Sequence, residues 1–194
     1  MPTGPEVKSE LRARLLARRR QRPAAERASA AAALTRALQA GLAGAATVAA
    51  FVPDETEPGA GALPGALSRP GTRVLLPVVP DTGRELRWAV DTGRLAPGRF
   101  GLLEPTGPRL EPAAIGEADV VVVPALAVAR DGARLGRGGG YYDRALPLAR
   151  DDAVLVALVF DDELVDALPV ERHDRRVTAV VTPSGGWQAL PTSQ

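Results

Sequence analysis

Residues 118–128 read ADVVVVPALAV, a run in which nearly every position is apolar. A strand with one wet face alternates apolar and polar side chains. A strand apolar at successive positions must be covered on both faces, as strands are in a parallel sheet between helices. Four more runs share the pattern: ATVAAFV at 46–52, TRVLLPVV at 72–79, AVLVALVF at 153–160 and RVTAVVTP at 176–183. The shorter ELRWAV at 85–90 reads as an antiparallel neighbour.

Helical patterns lie between and before these runs. EVKSELRARLLARRRQR, at 6–22, places Val7, Leu11, Leu15 and Leu16 along one stripe, and Pro23 stops it. AAERASAAAALTRALQAGL follows, ending near Gly41 or Gly44. Segments 59–69, 138–149 and 161–168 are further helix candidates, and the Gly- and Pro-rich stretch 91–118 reads as ordered loop over the sheet. Strands alternating with helices predict a three-layer α/β/α sandwich around a mostly parallel, Rossmann-like sheet, built as one domain over 1–194. Ligands of such sheets bind at the carboxyl ends of the strands.

Composition removes several classes of function. A net charge of +1 supplies no field toward nucleic acid or membrane, and no apolar stretch nears the ~20 residues of a spanning helix. With no cysteine there is no disulfide framework, thiolate nucleophile or Cys-ligated zinc. A cytoplasmic monomer without nucleic-acid or membrane partners is expected. One lysine, Lys8, stands against 23 arginines.

The stretch RLGRGGGYYDR, at 134–144, follows the strongest strand and opens a helix. Successive glycine N–H groups at a helix start form an anion cradle, and Arg134 and Arg137 add cations that bridge phosphate oxygens. It is neither a Walker A loop nor the dinucleotide G-x-G-x-x-G in its usual place. Asp143 reads either as a dipole-favoured helix-start acid or as a Mg²⁺ ligand beside phosphates. Lys8 and Arg12, four apart, share a helix face: either a solvated basic face with Arg18, Arg19 and Arg20, or a polyanion site. Glu55 and Glu57, in FVPDETEPGAG, occupy a loop where such a sheet presents ligand groups. His173 and Asp174 precede the last strand, and no Ser-His-Asp set is available, which favours direct transfer to a bound substrate.

Together these pieces resemble the 5-formyltetrahydrofolate cyclo-ligase family over nearly the whole chain. The resemblance rests on KSELR at 8–12, TEPG at 56–59, LLEP at 102–105, DVVVVPALAVARDGARLGRGGGYYDRAL at 119–146 and ERHDRRVTAVVTP at 171–183. It implies ATP- and Mg²⁺-dependent closure of 5-formyltetrahydrofolate, mono- or polyglutamylated, to 5,10-methenyltetrahydrofolate with release of ADP and phosphate. By the same resemblance Lys8 and Arg12 hold ATP phosphates. So do Arg134, Leu135, Gly136, Arg137, Gly138, Gly139, Gly140, Tyr141 and Tyr142, with Arg137 and Tyr142 as the catalytic pair. Asp143 and Asp174 are the implied magnesium ligands, Glu57 the folate-binding acid, and Val52 part of that pocket. The chain departs from the family's pattern at Ala60, Ala129 and Gly139; Asp131 stands close enough to replace the acid missing at Ala129. A sugar-phosphate-binding regulator on the same kind of sheet is the competing reading, and an RNA-binding protein a third.

Overall fold

The protein is described here by a computed structural model covering residues 4–169 and 175–191. Helices α1 (Gly4–Gln21) and α2 (Ala24–Gly41) lead, parted at Pro23, which has no N–H to continue the first ladder and suits the start of the second. Then come β1 (Thr47–Ala49), β2 (Arg73–Val78), β3 (Arg87–Val90), β4 (Leu95–Pro97), β5 (Leu103–Pro105), β6 (Arg109–Leu110) and β7 (Val120–Pro124). The remainder is β8 (Ala127–Ala129), β9 (Arg134–Leu135), α3 (Tyr141–Ala145), β10 (Val154–Leu158), β11 (Leu164–Val165), β12 (Ala179–Thr182) and β13 (Gly186–Ala189).

Eight strands form the main sheet, in the order β13-β12-β10-β7-β1-β2-β3-β6. The inner five are parallel, from β12 to β2, and antiparallel pairs finish both edges. The apolar runs alternate between two cores. Val120 and Val122 of β7 pack with Leu34, Leu38 and Leu42 around α2. Val121 and Val123 point the other way, toward Trp88, Ile115 and Leu146. Each fully buried leucine of α2 contributes about 1.5–3 kcal/mol relative to an exposed one. The sandwich is thus present, but its second outer layer consists of α3 and short 3₁₀ turns at Pro112–Glu117 and Leu146–Leu148. No described helix is long and apolar enough to cross a membrane.

Several sequence expectations need correction. The 118–128 run is two strands: after Pro124 the chain leaves the main sheet, and β8 joins β9 and β11 in a separate three-stranded sheet. The run stays apolar because β8 is buried as deeply as β7. Segment 59–69 is turns with one 3₁₀ turn at Gly65–Leu67, since Gly59 and Gly61 take φ of +86° and +77°. Segment 161–168 is a 3₁₀ turn followed by β11, and 138–149 holds only the five-residue α3 before Pro147 forces a tighter turn. Stretch 91–118 contains three short strands, and β13 lies beyond the last expected strand.

Helix α1 lies over the small sheet, its Leu11, Leu15 and Leu16 packing with Leu126, Ala127 and Leu135. Val7, the fourth expected stripe residue, is exposed. Arg19, one turn beyond Leu15, is buried at 1% exposure. Its Nε and Nη2 donate to the two oxygens of Glu163 at 2.7 and 2.8 Å, and Nη2 also donates to the Ala125 carbonyl at 2.6 Å. The basic face of α1 is therefore not uniformly solvated: Arg19 fastens the helix to the end of β7.

Candidate active site

Strand order sets where a cleft can open. From β1 the chain proceeds to β2, β3 and β6 on one side, then returns through β7 to build β10, β12 and β13 on the other. The loops after β1 and β7 diverge at this reversal and leave a crevice at the carboxyl ends. A cleft of about 350 Å³ lies there. Phe51, Val52 and Glu57 line it from the β1 side, Pro124 and Ala125 from β7, and Pro77 and Val79 from β2. Its other wall is the glycine loop, Gly136 to Gly140, with Arg134, Arg137, Tyr141, Tyr142 and Asp143.

The loop needs its glycines for backbone geometry. Gly138 and Gly140 have φ of +92° and +73°, a region that L side chains rarely enter. At Gly138 a Cβ would also stand 3.4 Å from the Arg12 guanidinium. Arg12 Nε donates to the Gly136 carbonyl at 2.9 Å, so the first helix reaches the loop and braces it from behind. Lys8, one turn earlier and half-buried, does not line the cleft.

Across from the loop, in contact with its Arg137, Glu57 keeps only 10% of its side chain exposed. Burial pushes its carboxyl above the ordinary range, although Arg137 beside it pulls the other way. Arg137 Nη2 lies 3.1 Å from Glu57 Oε1 and also pairs with Asp54. The Tyr142 hydroxyl is buried without a hydrogen-bond partner among the described residues. Burial, then the Glu57 carboxylate, drives its phenol upward against the opposing pull of Arg134, so it stays a neutral hydroxyl donor. Arg134, buried between sheet and loop, gives Nη2 to Asp143, while its buried Nε has no partner there.

The cleft thus gathers Val52, Glu57, Arg134, Gly136, Arg137, Gly138, Gly139, Gly140, Tyr141, Tyr142 and Asp143. Leu135 is different: its side chain enters the small core, leaving only its backbone toward the loop. Glu55 is exposed and does not line the cleft. His173 and Asp174 lie outside the described residues. Asp131 orders the β8–β9 turn, accepting the Ala133 N–H at 3.0 Å and pairing with Arg176.

Sequence reasoning missed an apolar rim. Phe100, Leu102 and Leu103, on the β4–β5 turn and the start of β5, line the cleft and are exposed, Phe100 at 72%. Their clustering in RFGLLEP was the available signal. Arg144 and Arg84 stand beside the loop without lining the cleft, and Arg144 Nη1 donates to the Gly140 carbonyl at 3.2 Å.

Comparison with known proteins converges on one family. The sequence model of the 5-formyltetrahydrofolate cyclo-ligase family matches residues 5–183. A 5-formyltetrahydrofolate cyclo-ligase of Mycolicibacterium smegmatis is 47% identical over 191 residues, covering 96% of this chain and 98% of the relative. One of Escherichia coli K12 is 35% identical over 146 residues, covering 73% and 80%. The NMR structure of Aquifex aeolicus 5,10-methenyltetrahydrofolate synthetase superposes with a TM-score of 0.74 at 26% identity, over 97% of this chain and 95% of that one. A profile match across most of the chain, together with a full-length relative at nearly half identity, establishes that the chain belongs to the 5-formyltetrahydrofolate cyclo-ligase family.

Proposed function

We propose that this cleft is where the chain closes 5-formyltetrahydrofolate to 5,10-methenyltetrahydrofolate at the expense of ATP, with ATP against the glycine loop and the folate between Glu57 and the apolar rim. The supporting observation is a cleft, formed within one chain, that joins a cationic glycine loop to a buried carboxylate. That geometry also supports a monomer as the working unit. The ATP-dependent ligase activity is the family's, and it displaces the sugar-phosphate regulator as a reading of the loop.

The chemistry suits these residues. A formamide oxygen leaves poorly until the γ-phosphoryl of ATP is transferred to it, with ADP departing. The folate N10 then attacks the activated formyl carbon, the ring closes as N10 gives up its proton to solvent, and the C–O bond breaks to release phosphate. Little covalent work falls to the protein, which must align oxygen with phosphorus and offset charge. Arg134, Arg137 and the loop N–H groups supply that charge stabilisation. Neutral Tyr142 donates its hydroxyl proton in a hydrogen bond to an oxygen of the reacting groups. Glu57 accepts from the pterin N–H edge, and Val52 packs against the ring.

Asp143 is suited to Mg²⁺: it lines the cleft beside the loop with Oδ1 on Arg134, and among the described residues Oδ2 makes no hydrogen bond. Mg²⁺ in such a site is held mainly by one or two carboxylates, phosphates and water. When bound there it would neutralise phosphate charge. Asp143→Asn is expected to lower kcat, with the loss partly relieved by excess Mg²⁺. Loss of thermal stability without Mg²⁺ rescue would make Asp143 a partner of Arg134 alone.

The direct test mixes protein, ATP, Mg²⁺ and 5-formyltetrahydrofolate and follows near-ultraviolet absorbance of the methenyl product. No product would refute the assignment. Glu57→Gln should raise the folate KM roughly ten- to hundredfold, the equivalent of about 1.5–3 kcal/mol for a hydrogen bond to a charged group, with the ATP KM unchanged. The pH dependence has a definite sign. Protonation removes the charge and turns one acceptor oxygen into a donor, so kcat/KM for folate should fall on acidification with an apparent pKa above the ordinary glutamate value of 4.5. Glu57→Gln should abolish that acid limb, and a limb that persists would belong to another group.

A further inference from the structure

We propose that Asp54 is a positioning residue for the reaction, holding Arg137 through one nitrogen so that the rest of its guanidinium faces the ligand. This rests on the reading of Arg137 as a phosphate-end group. Arg137 has a long, half-exposed side chain, which without a tether would sample many rotamers. Both its ion pairs run through Nη2, to Asp54 Oδ2 and to Glu57 Oε1. Among the described residues its Nε and Nη1 make no hydrogen bond, which leaves three N–H groups for a ligand.

Asp54 is itself fixed. Its Oδ1 accepts the Thr56 amide at 2.8 Å and the Thr56 hydroxyl at 2.7 Å. Its own amide donates to Glu57 Oε2 at 3.0 Å, and its carbonyl accepts the Glu57 amide at 3.1 Å. Only Oδ2 remains for Arg137. Burial pushes the carboxyl up, but the bonds from Thr56 and Arg137 outweigh that and hold it below the usual range, so it stays charged. Asp54 does not line the cleft, whereas Glu57 and Arg137 do, so it acts through its neighbours. Without Asp54 the guanidinium would be held by Glu57 alone, and its free N–H groups would no longer be aimed at the ligand. Two carboxylates on one nitrogen hold the cation in place at the cleft wall.

Asp54→Asn tests this, because asparagine keeps an oxygen for Thr56 but loses the charge facing Arg137. We expect kcat to fall about tenfold, as for one lost charge-assisted contact at a partly exposed site. The folate KM should change less than about threefold, and Tm should move by only about 2 °C. Thr56→Val, which loosens the turn and keeps the charge, should leave kcat within about threefold of wild type on the same scale. Arg137→Ala should lose more, and adding Asp54→Asn to it should cost nothing further, since both act through one group. Losses that multiply, or a Thr56→Val variant as slow as Asp54→Asn, would overturn the role of Asp54 alone. An Arg137→Ala enzyme with wild-type kcat would overturn the reading of Arg137, and the role of Asp54 with it.

Discussion

Arg19→Ala should destabilise the chain by about 3–5 kcal/mol, the cost of leaving one partner of a buried ion pair uncompensated. For a domain of this size that is a fall in Tm of roughly 10 °C. The pair is nearly sealed, with 1% and 3% of the two side chains exposed. Glu163 also accepts the Phe160 N–H at 2.9 Å, so its carboxylate cannot turn away to water without breaking backbone order. The effect should reach the active site. Arg19 ties α1 to the Ala125 carbonyl in the cleft wall, and α1 carries Arg12 to the glycine loop. The ATP KM should therefore rise in the same variant. An apolar pair, Arg19→Met with Glu163→Leu, should regain most of the stability, because well-packed apolar residues often replace buried ion pairs at little cost. A Tm shift below about 2 °C in Arg19→Ala, measured by calorimetry, would mean the pair is held no more tightly than a surface one.

Arg134→Ala should reduce kcat by about 10²–10³-fold, the scale for removing one preorganised donor from developing charge. Its side chain is 4% exposed, lines the cleft, is oriented by Asp143 and keeps a buried Nε without a described partner. A preorganised donor in a dry site needs no reorganisation when charge develops, which is why its loss falls on kcat more than on KM. Stability should suffer less than in Arg19→Ala, because the abandoned Asp143 is 48% exposed and can be hydrated. Arg134→Lys should recover little, since an ammonium cannot both hold Asp143 and present a second planar donor. A kcat within about threefold of wild type would show that Arg134 only supports the loop, a loss far below that scale.

Much of the architecture was legible because it follows from local rules. Continuous apolar runs require two covered faces, and Val120 to Val123 show why: alternate valines enter opposite cores. Pro23, the period of α2 and the glycine loop before α3 could likewise be read from residue chemistry. The strand breaks could not. β7 and β8 form one apolar run yet belong to different sheets, because burial depth looks the same from sequence whichever sheet provides it. The expected helices at 59–69 and 161–168 failed because compact turns closed those connections.

The candidate site divides along the same line. Residue types with strong intrinsic chemistry were visible: glycines able to take positive φ, arginines beside them, and Glu57 after a buried strand. Their pairing was decided only in three dimensions. Asp54 and Glu57 share Arg137 across 83 residues of chain in the first of those pairs, and Arg19 finds Glu163 across 144. Arg19 sits among other arginines and carries no local mark of burial; only the docking of α1 over the small sheet removes it from water. Residue chemistry alone marked which groups were candidates for phosphate and which runs had to be covered. The tertiary structure decided which arginine faces the cleft, which is buried in an ion pair and which braces the loop, because those roles depend on partners that no local pattern encodes.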